Sequence, residues 1–590
     1  MKTFFLSMAG ALAAMFIFIF LIFSFFMMLI IGASSSKPER PDAVVLSFDL
    51  NTELTDQAPS GGFAAISGAP GFIDLLTRLK AAETDDSVKG LFIRGAFVGT
   101  GSTRAEELRQ AIHSFRDSGK FVIAHSQGTL GLGGASAYWS ISAADEIWMQ
   151  PGADLVVPGL TFETEFFKGL FDKIDVIPEV YPFYEYKNAP NSYNETAYTD
   201  PHREAMKALA ESLWDTSLAD IASDRGLSVA NVRETLEGGM IPAEKAVELK
   251  LLDQTGYPEQ ASDAALEKGG KGAQMVDLLA YTAPAPSLRA PQIAVVGGEG
   301  AVVTGGAESD SPFAAPAGFA SDNIARAILD AGANEKVKAI IFRVDSPGGS
   351  PVAADQIWNA IETVQADGKP VIVSMGSLAA SGGYYVSAGA DYILANRATL
   401  TGSIGIFGGK FAVEGGLNKL GITFDRVSVG GEFAGAYGTS TFTETQEAAV
   451  KDMLKRGYDR FLNIVAEGRG MTYEEVHEVA RGRVWTGEDA LEVGLVDELG
   501  TFMDAVEKAK ELAGIEADET PRLVYYPHRP TGLEALEALF GVSAEGAEAA
   551  IMLNRLADDE NVQMLVDQLA TMEAVNSGQA QIVMPRFKER

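Results

Sequence analysis

Hydrophobic positions fall into three regimes along the chain. From about Met8 to Gly32 they run almost without a break, and no charged residue stands between Lys2 and Lys37. Such a run meets the ~20 residues that a membrane-spanning helix needs and exceeds the roughly 7–15 apolar residues of a cleavable signal. It predicts an uncleaved signal-anchor within residues 1–40, with cleavage in GASSS (32–36) as the alternative. Lys2 and the amino terminus favour the cytoplasmic side, which leaves the chain from Lys37 onward outside it.

Beyond residue 40 the apolar segments become short and alternate with amphipathic ones. VKAIIFRV (337–344) reads as a β-branched strand, and AADQIWNAIETVQADG (353–368) as a helix with Ile357, Ile361 and Val364 on one face. KPVIVSMG (369–376) is a second strand, SGGYYVSAGAD (381–391) opens a helix, and DYILAN (391–396) returns to strand. Continuous apolar strands alternating with helices predict an α/β fold with a buried, largely parallel sheet. After about Ile515 the pattern loosens: ADETPRLVYYPHRP (517–530) reads as loop, EALEALFG (534–541) and NVQMLVDQLATMEA (561–574) as short helices.

The middle regime is written twice. DDSVKGLFIRG (85–95) resembles NEKVKAIIFRV (334–344), AYWSISAADEIW (137–148) resembles GYYVSAGADYIL (383–394), and IPAEKAVELKLLDQTG (241–256) resembles WTGEDALEVGLVDELG (485–500). Val88 falls on Val337, Asp145 on Asp391 and Asp253 on Asp497, so the offset drifts from 249 through 246 to 244. One duplication followed by small deletions leaves that trace, and its unit is a whole domain rather than a short solenoid repeat. The predicted organisation is an anchor (1–40), a first copy (41–288), a second copy (289–540) and a helical tail (541–590).

Composition narrows the chemistry. A net charge of −33 over 590 residues argues against a nucleic-acid partner, because phosphate binding needs basic patches. The absence of cysteine removes disulfides, thiolate metal sites and cysteine nucleophiles. Neither a metal nor a cofactor is expected.

Ser381, in SLAASGGYYV, sits where a strand meets a helix, the usual place for active residues in an α/β unit. Gly382 follows it, and a second glycine pair, Gly348 and Gly349 in DSPGGSP, follows the strand AIIFRV. Their backbone N–H groups can receive a developing oxyanion. The G-x-S-x-G elbow is absent, and a tight packing corner explains the same small residues. A nucleophilic serine also needs a base. Of the histidines, His113, His125, His477 and His528 have no position that pairs them with Ser381, and His202 is held in reserve. Lys187, among Tyr181, Phe183, Tyr184 and Tyr186, fits a lysine base if burial lowers its pKa; local sequence alone fits a surface lysine lying along aromatic rings better. The copies differ here: Ala135 stands opposite Ser381, and VGGEFAGAY (429–437), opposite Lys187, has no lysine. A real site therefore takes its serine from one copy and its base from the other.

DSPGGS, MGSLAASGGYYVSAGAD, LTGSIGIFG (400–408) and YEYKNA together resemble the signal peptide peptidase A family, also called protease IV, in its long tandem-repeat form. The resemblance runs from the anchor to about residue 540. It implies two tandem crotonase-like (ClpP-like) repeats and a Ser/Lys dyad of Ser381 and Lys187. The oxyanion donors it implies are the backbones of Gly382 and of Gly348 or Gly349. It further implies hydrophobic peptide substrates such as signal-peptide remnants. The expected setting is a homotetramer tethered by a single pass to a bacterial inner membrane, its catalytic part facing the periplasm. Asn188 departs from the serine expected after the lysine. Three rivals stand beside this: an acyl-CoA enzyme on the same fold, a catalytically dead membrane scaffold, and a protease whose base is Lys410.

Overall fold

The computed structural model describes residues 41–58, 70–95, 99–129, 133–284, 286–306 and 318–528. The predicted anchor and the tail helices lie outside these residues. Among the described residues no helix is long and apolar enough to cross a membrane.

The duplication is visible strand by strand. The first sheet orders Gln254–Thr255, Glu146–Met149, Phe121–Ser126, Val88–Arg94, Val44–Asp49 and Gln274–Asp277, with every neighbouring pair parallel. The second repeats that order with Glu498–Leu499, Tyr392–Ala395, Val371–Ala380, Val337–Ser346, Gln292–Glu299 and Arg522–Tyr526. All-parallel sheets need both faces covered, which is why these strands are near-continuous Val, Ile, Leu and Phe rather than alternating. The residues that align in sequence do the same work in both copies. Asp145 accepts from the N–H of Val122, and Asp391 from that of Val371. Asp253 and Asp497 accept from the N–H groups of Ile147 and Ile393, and each is paired with an arginine, Arg225 or Arg469. Tyr138 and Tyr384 donate to the carbonyls of Leu251 and Leu495. Each copy also carries a 26-residue helix, Asp200–Arg225 and Glu444–Arg469, opened by a threonine N-cap (Thr199, Thr443) and closed by a left-handed glycine (Gly226, Gly470).

Two differences from expectation concern strand ends. The segment 517–530, read as loop, contains Arg522–Tyr526, the edge strand of the second sheet, set between Pro521 and Pro527. Its side chains are all half-buried, so the hydrophobic alternation that announces a strand is missing. The strand beginning at Val371 does not stop near Gly376 but runs to Ala380, directly against Ser381. Its extra length pairs with Leu400–Gly402, which pairs antiparallel with Val484–Thr486. The first copy's counterpart is Phe121–Ser126, and the described residues 127–129 that follow it are not strand.

The copies share a core. Ile293, Val295, Ala339 and Ile341, on one face of the second sheet, pack in one cluster with Leu46, Phe72 and Leu108 of the first copy. A two-stranded antiparallel ribbon also joins them: Ile177–Phe183 of the first copy pairs with Ile406–Ala412 of the second. That ribbon delivers the segment carrying Lys187 to the second copy.

Candidate active site

Ser381 is the N-cap of the short helix Gly382–Ser387 and has φ 55° and ψ −115°. A positive φ is costly for a residue with a Cβ, and such outliers cluster at functional sites. The strained turn is held from both sides. The N–H of Ser381 donates to the carbonyl of Gly402 (2.8 Å), and its carbonyl accepts from the N–H of Tyr385 (2.9 Å).

Facing it is Lys187, buried at 4% exposure. Its Nζ donates to Ser381 Oγ (3.0 Å), Ser403 Oγ (2.9 Å) and the carbonyl of Ser403 (2.8 Å). Among the described residues no carboxylate pairs with it. Burial alone pushes the amine down from its usual 10.5 to about 7. The second copy fixes the loop that carries it: the Tyr186 N–H donates to the Arg481 carbonyl, and a Cβ at Gly482 would lie 2.5 Å from the Lys187 backbone nitrogen. The same short segment holds Ser403, whose N–H donates to the Arg483 carbonyl.

The glycines close the other side. Gly348 has φ 94°, and a Cβ there would lie 2.5 Å from the Gly382 nitrogen and 2.8 Å from the Ser381 Cβ. Its own N–H donates to Ser346 Oγ (3.1 Å). Of the two candidates in DSPGGS this leaves Gly349, whose nitrogen would lie 2.9 Å from a Cβ on Gly382, while a Cβ on Gly349 itself would strike the Val302 carbonyl oxygen at 2.1 Å. Gly382 begins its helix, so its N–H has no partner in the preceding turn. The amides of Gly349 and Gly382 thus border one small region beside Ser381. Gly348 serves instead as the gap that lets Ser381 and Gly382 approach.

The remaining candidates lie elsewhere. Lys410 donates to the carbonyls of Ala436 and Ser440 (2.5 Å each) and sits 4.2 Å above the Phe442 ring, so it holds a loop rather than facing Ser381. His202 packs against Tyr198 and Phe166 with Asn191 on its Nδ1, and burial lowers it to about 4. Asn188 turns to Asn191. The hydroxyl beside the lysine comes instead from Ser403, which sequence reading left unassigned. It stands inside LTGSIGIFG, but nothing local marks it as a lysine partner, because the contact spans 216 residues of chain.

A sequence model of peptidase family S49 matches residues 114–271 and 363–516, one block in each copy, and a model of Clp protease matches 318–403. The chain is 33% identical over 479 residues to "Protease 4" of Salmonella typhi, spanning 78% of this chain and 74% of that one. It is 34% identical over 471 residues to "Protease 4" of Haemophilus influenzae, spanning 75% and 73%. A plant relative, "Serine protease SPPA, chloroplastic" of Arabidopsis thaliana, is 28% identical over 559 residues, spanning 92% and 80%. With these relatives, the doubled α/β fold is that of a serine protease. The chain belongs to peptidase family S49.

Proposed function

We propose that this chain is a Ser/Lys-dyad endopeptidase acting on hydrophobic peptides such as signal-peptide remnants, tethered to a membrane by the apolar run near its start. The observation that carries this reading is the buried Lys187 amine, without a carboxylate partner, 3.0 Å from the hydroxyl of the strained Ser381. Neutral Lys187 takes the Ser381 Oγ proton while Oγ bonds to the substrate carbonyl carbon. The oxyanion is received by the N–H groups of Gly349 and Gly382, a contribution of about 3–4 kcal/mol per donor. Lys187 returns the proton to the leaving amine as the C–N bond breaks. Water, deprotonated by the same amine, then cleaves the acyl-enzyme. Ser403 holds the amine on the line between the two steps.

A lysine at about 7 sets the pH profile. Only the neutral amine is a base, so kcat/KM is expected to rise about tenfold per pH unit below 7 and to level above it. A fluorogenic hydrophobic peptide assayed from pH 5 to 9 reads this, and a flat profile with chemistry limiting would sink the assignment. Asp345, half-buried at the head of the DSPGGS turn, is also pushed up to about 7 by desolvation and by the charge of Asp56. Asp345→Asn is expected to leave the inflection in place. Labelling of Ser381 by a fluorophosphonate separates the protease from a dead scaffold, and a thermal shift on adding coenzyme A would point to the acyl-CoA rival.

A further inference from the structure

One arginine of the second copy ties both segments that meet at Lys187 to a helix of the first. The loop 480–483 runs between those segments. On one side the Gly482 N–H donates to the Ile404 carbonyl, and the Arg483 carbonyl accepts from the Ser403 N–H (2.9 and 2.6 Å). On the other side the Arg481 carbonyl accepts from the N–H groups of Tyr184 and Tyr186 (3.3 and 3.1 Å). Arg481 and Gly482 both have positive φ (50° and 87°). A turn that puts a residue with a Cβ in that region persists only where its surroundings hold it.

The Arg483 side chain supplies that hold. Its Nη1 and Nη2 donate to the two oxygens of Glu204, on the first-copy helix Asp200–Arg225 (2.9 and 2.8 Å). The guanidinium lies 5.1 Å from the Tyr186 ring and 4.4 Å from the Trp485 ring. Tyr186 immediately precedes Lys187, and its hydroxyl donates to the same Glu204, whose carboxyl is held below its usual range chiefly by Arg483. Guanidinium, ring and carboxylate thus close a triangle over the lysine's segment. Further along the helix Ser212 meets Thr486 and Thr216 meets Glu488 (2.9 Å each), so one helix face seats the strand Val484–Thr486. Glu204 is 50% exposed, and an ion pair so open to water adds little stability; what a bidentate fork adds is geometry. The first copy has no such fork. Leu155 pairs with Ile241 as Thr401 pairs with Trp485, which sets Val157 at the place of Ser403 and Gly239 at the place of Arg483. The copy with Ala135 in place of the serine has neither the second hydroxyl nor the arginine.

We propose that Arg483 is a positioning residue for proteolysis: tied to Glu204 and laid on the Tyr186 ring, it closes the second copy's loop over the Lys187 segment and keeps the amine dry and aimed at Ser381 Oγ. The inference rests on the dyad reading. Arg483 acts through the depth of the lysine and through Ser403, whose N–H its carbonyl receives. Burial is what lowers Lys187, so a loop that opens to water lets the amine return towards 10.5. Around the loop stand Glu185 and Tyr186 of the lysine's own segment, Glu204 of the helix, and Arg481, Arg483 and Glu478 of the second copy, with Tyr458 and His477 behind Arg481. Removing the Arg483 cation raises a nearby amine by charge as well as by opening the clamp. Removing the Glu204 carboxylate lowers it by charge and raises it by opening, so Glu204→Gln separates the two effects.

The test is kcat/KM of the full-length wild type, Arg483→Gln and Glu204→Gln in dodecyl maltoside, on a fluorogenic hydrophobic peptide from pH 5 to 10.5. Melting temperature checks the fold of each variant. Because Glu204 is half exposed, its variant reads the clamp even where Arg483→Gln unfolds. In both variants the inflection is expected to rise by about one unit or more. The rate at pH 7 then falls about fivefold or more and returns to within about twofold of the wild type at the alkaline end, with KM unchanged. The rate of Ser381 labelling by a fluorophosphonate, which needs no peptide site, is expected to shift in the same way. An inflection that stays in place or falls in Glu204→Gln, a loss equal at every pH, or a loss confined to KM overturns the clamp and leaves the dyad. A wild-type rate that is flat with pH, or that survives Lys187→Met, removes the dyad and the clamp with it.

Discussion

Ser381→Ala is expected to lower kcat/KM on a hydrophobic fluorogenic peptide by roughly 10⁴-fold or more, and Lys187→Met by a similar factor. The two losses should not add, because the serine without its base and the base without its serine are equally idle. The double variant is therefore expected to sit at the level of either single one. Lys187→Met carries its own folding control. Holding the lysine at about 7 rather than 10.5 costs the folded state on the order of 5 kcal/mol at neutral pH. Losing its three hydrogen bonds takes back about 1 kcal/mol each. A net gain of roughly 1–3 kcal/mol in stability is left. The sign against pH follows from proton counting. Between about 7 and 10.5 the unfolded lysine is protonated and the folded one is not, so the wild type gains stability as pH rises and the methionine variant lacks that gain. The advantage of Lys187→Met is thus full below about pH 7 and fades towards pH 10.5. An inactive variant that melts higher at pH 7 shows that activity was lost through chemistry and not through unfolding. A variant that keeps near-normal turnover removes Lys187 from the mechanism.

What the sequence announced and what it withheld divide along one physical line. Local pattern and internal repetition marked the α/β class, the doubling, and the aligned aspartates that cap the same strands in both copies, because these contacts stay within a copy. The serine at a strand–helix junction was legible for the same reason: the strand, the small residues and the helix are contiguous. Contacts between the copies were legible only where the copies differ, in the serine of one and the lysine of the other, and there the pairing came from the family resemblance. Ser403 reaches Lys187 across 216 residues, and local sequence around Lys187 fits a surface lysine better than a base; the loop at Arg481–Arg483, from the other copy, is what encloses it. The choice between Gly348 and Gly349 depends on one hydroxyl, Ser346 Oγ, that occupies the first amide. Even the duplication misleads at one place. Arg94 and Arg343 occupy the same position in the repeat, yet Arg94 is 43% exposed and Arg343 is 1% exposed, because only the second faces the other copy.

Arg343 is where removal of a single side chain is expected to cost most in stability. Its guanidinium is shared between two carboxylates of the first copy. Nε and Nη2 donate to Asp56 (3.0 and 2.8 Å), and Nη1 and Nη2 donate to Glu107 (3.0 and 2.9 Å). Both carboxylates are as buried as the arginine, and Glu107 also receives the N–H of Phe502, at the start of the helix Phe502–Leu512. The pairing links three separate parts of the chain at one point in the shared core. A buried pair of this kind is weak evidence for net stability, since bringing the charges out of water costs nearly what their attraction returns. Breaking it is a different matter, because two carboxylates are then left in the interior with no cation. Arg343→Met is expected to destabilise by about 3–5 kcal/mol, a fall in melting temperature of roughly 3–5 °C for a chain of this length. Arg343→Lys is expected to recover only part of this, because an ammonium cannot serve two carboxylates in the planar, bidentate manner of a guanidinium. Replacing all three groups together, Arg343→Met with Asp56→Asn and Glu107→Gln, is expected to cost less than Arg343→Met alone. Calorimetry on the three variants reads the order. If Arg343→Met melts within a degree or two of the wild type, the cluster is solvated in solution and the two copies are held by their apolar faces alone.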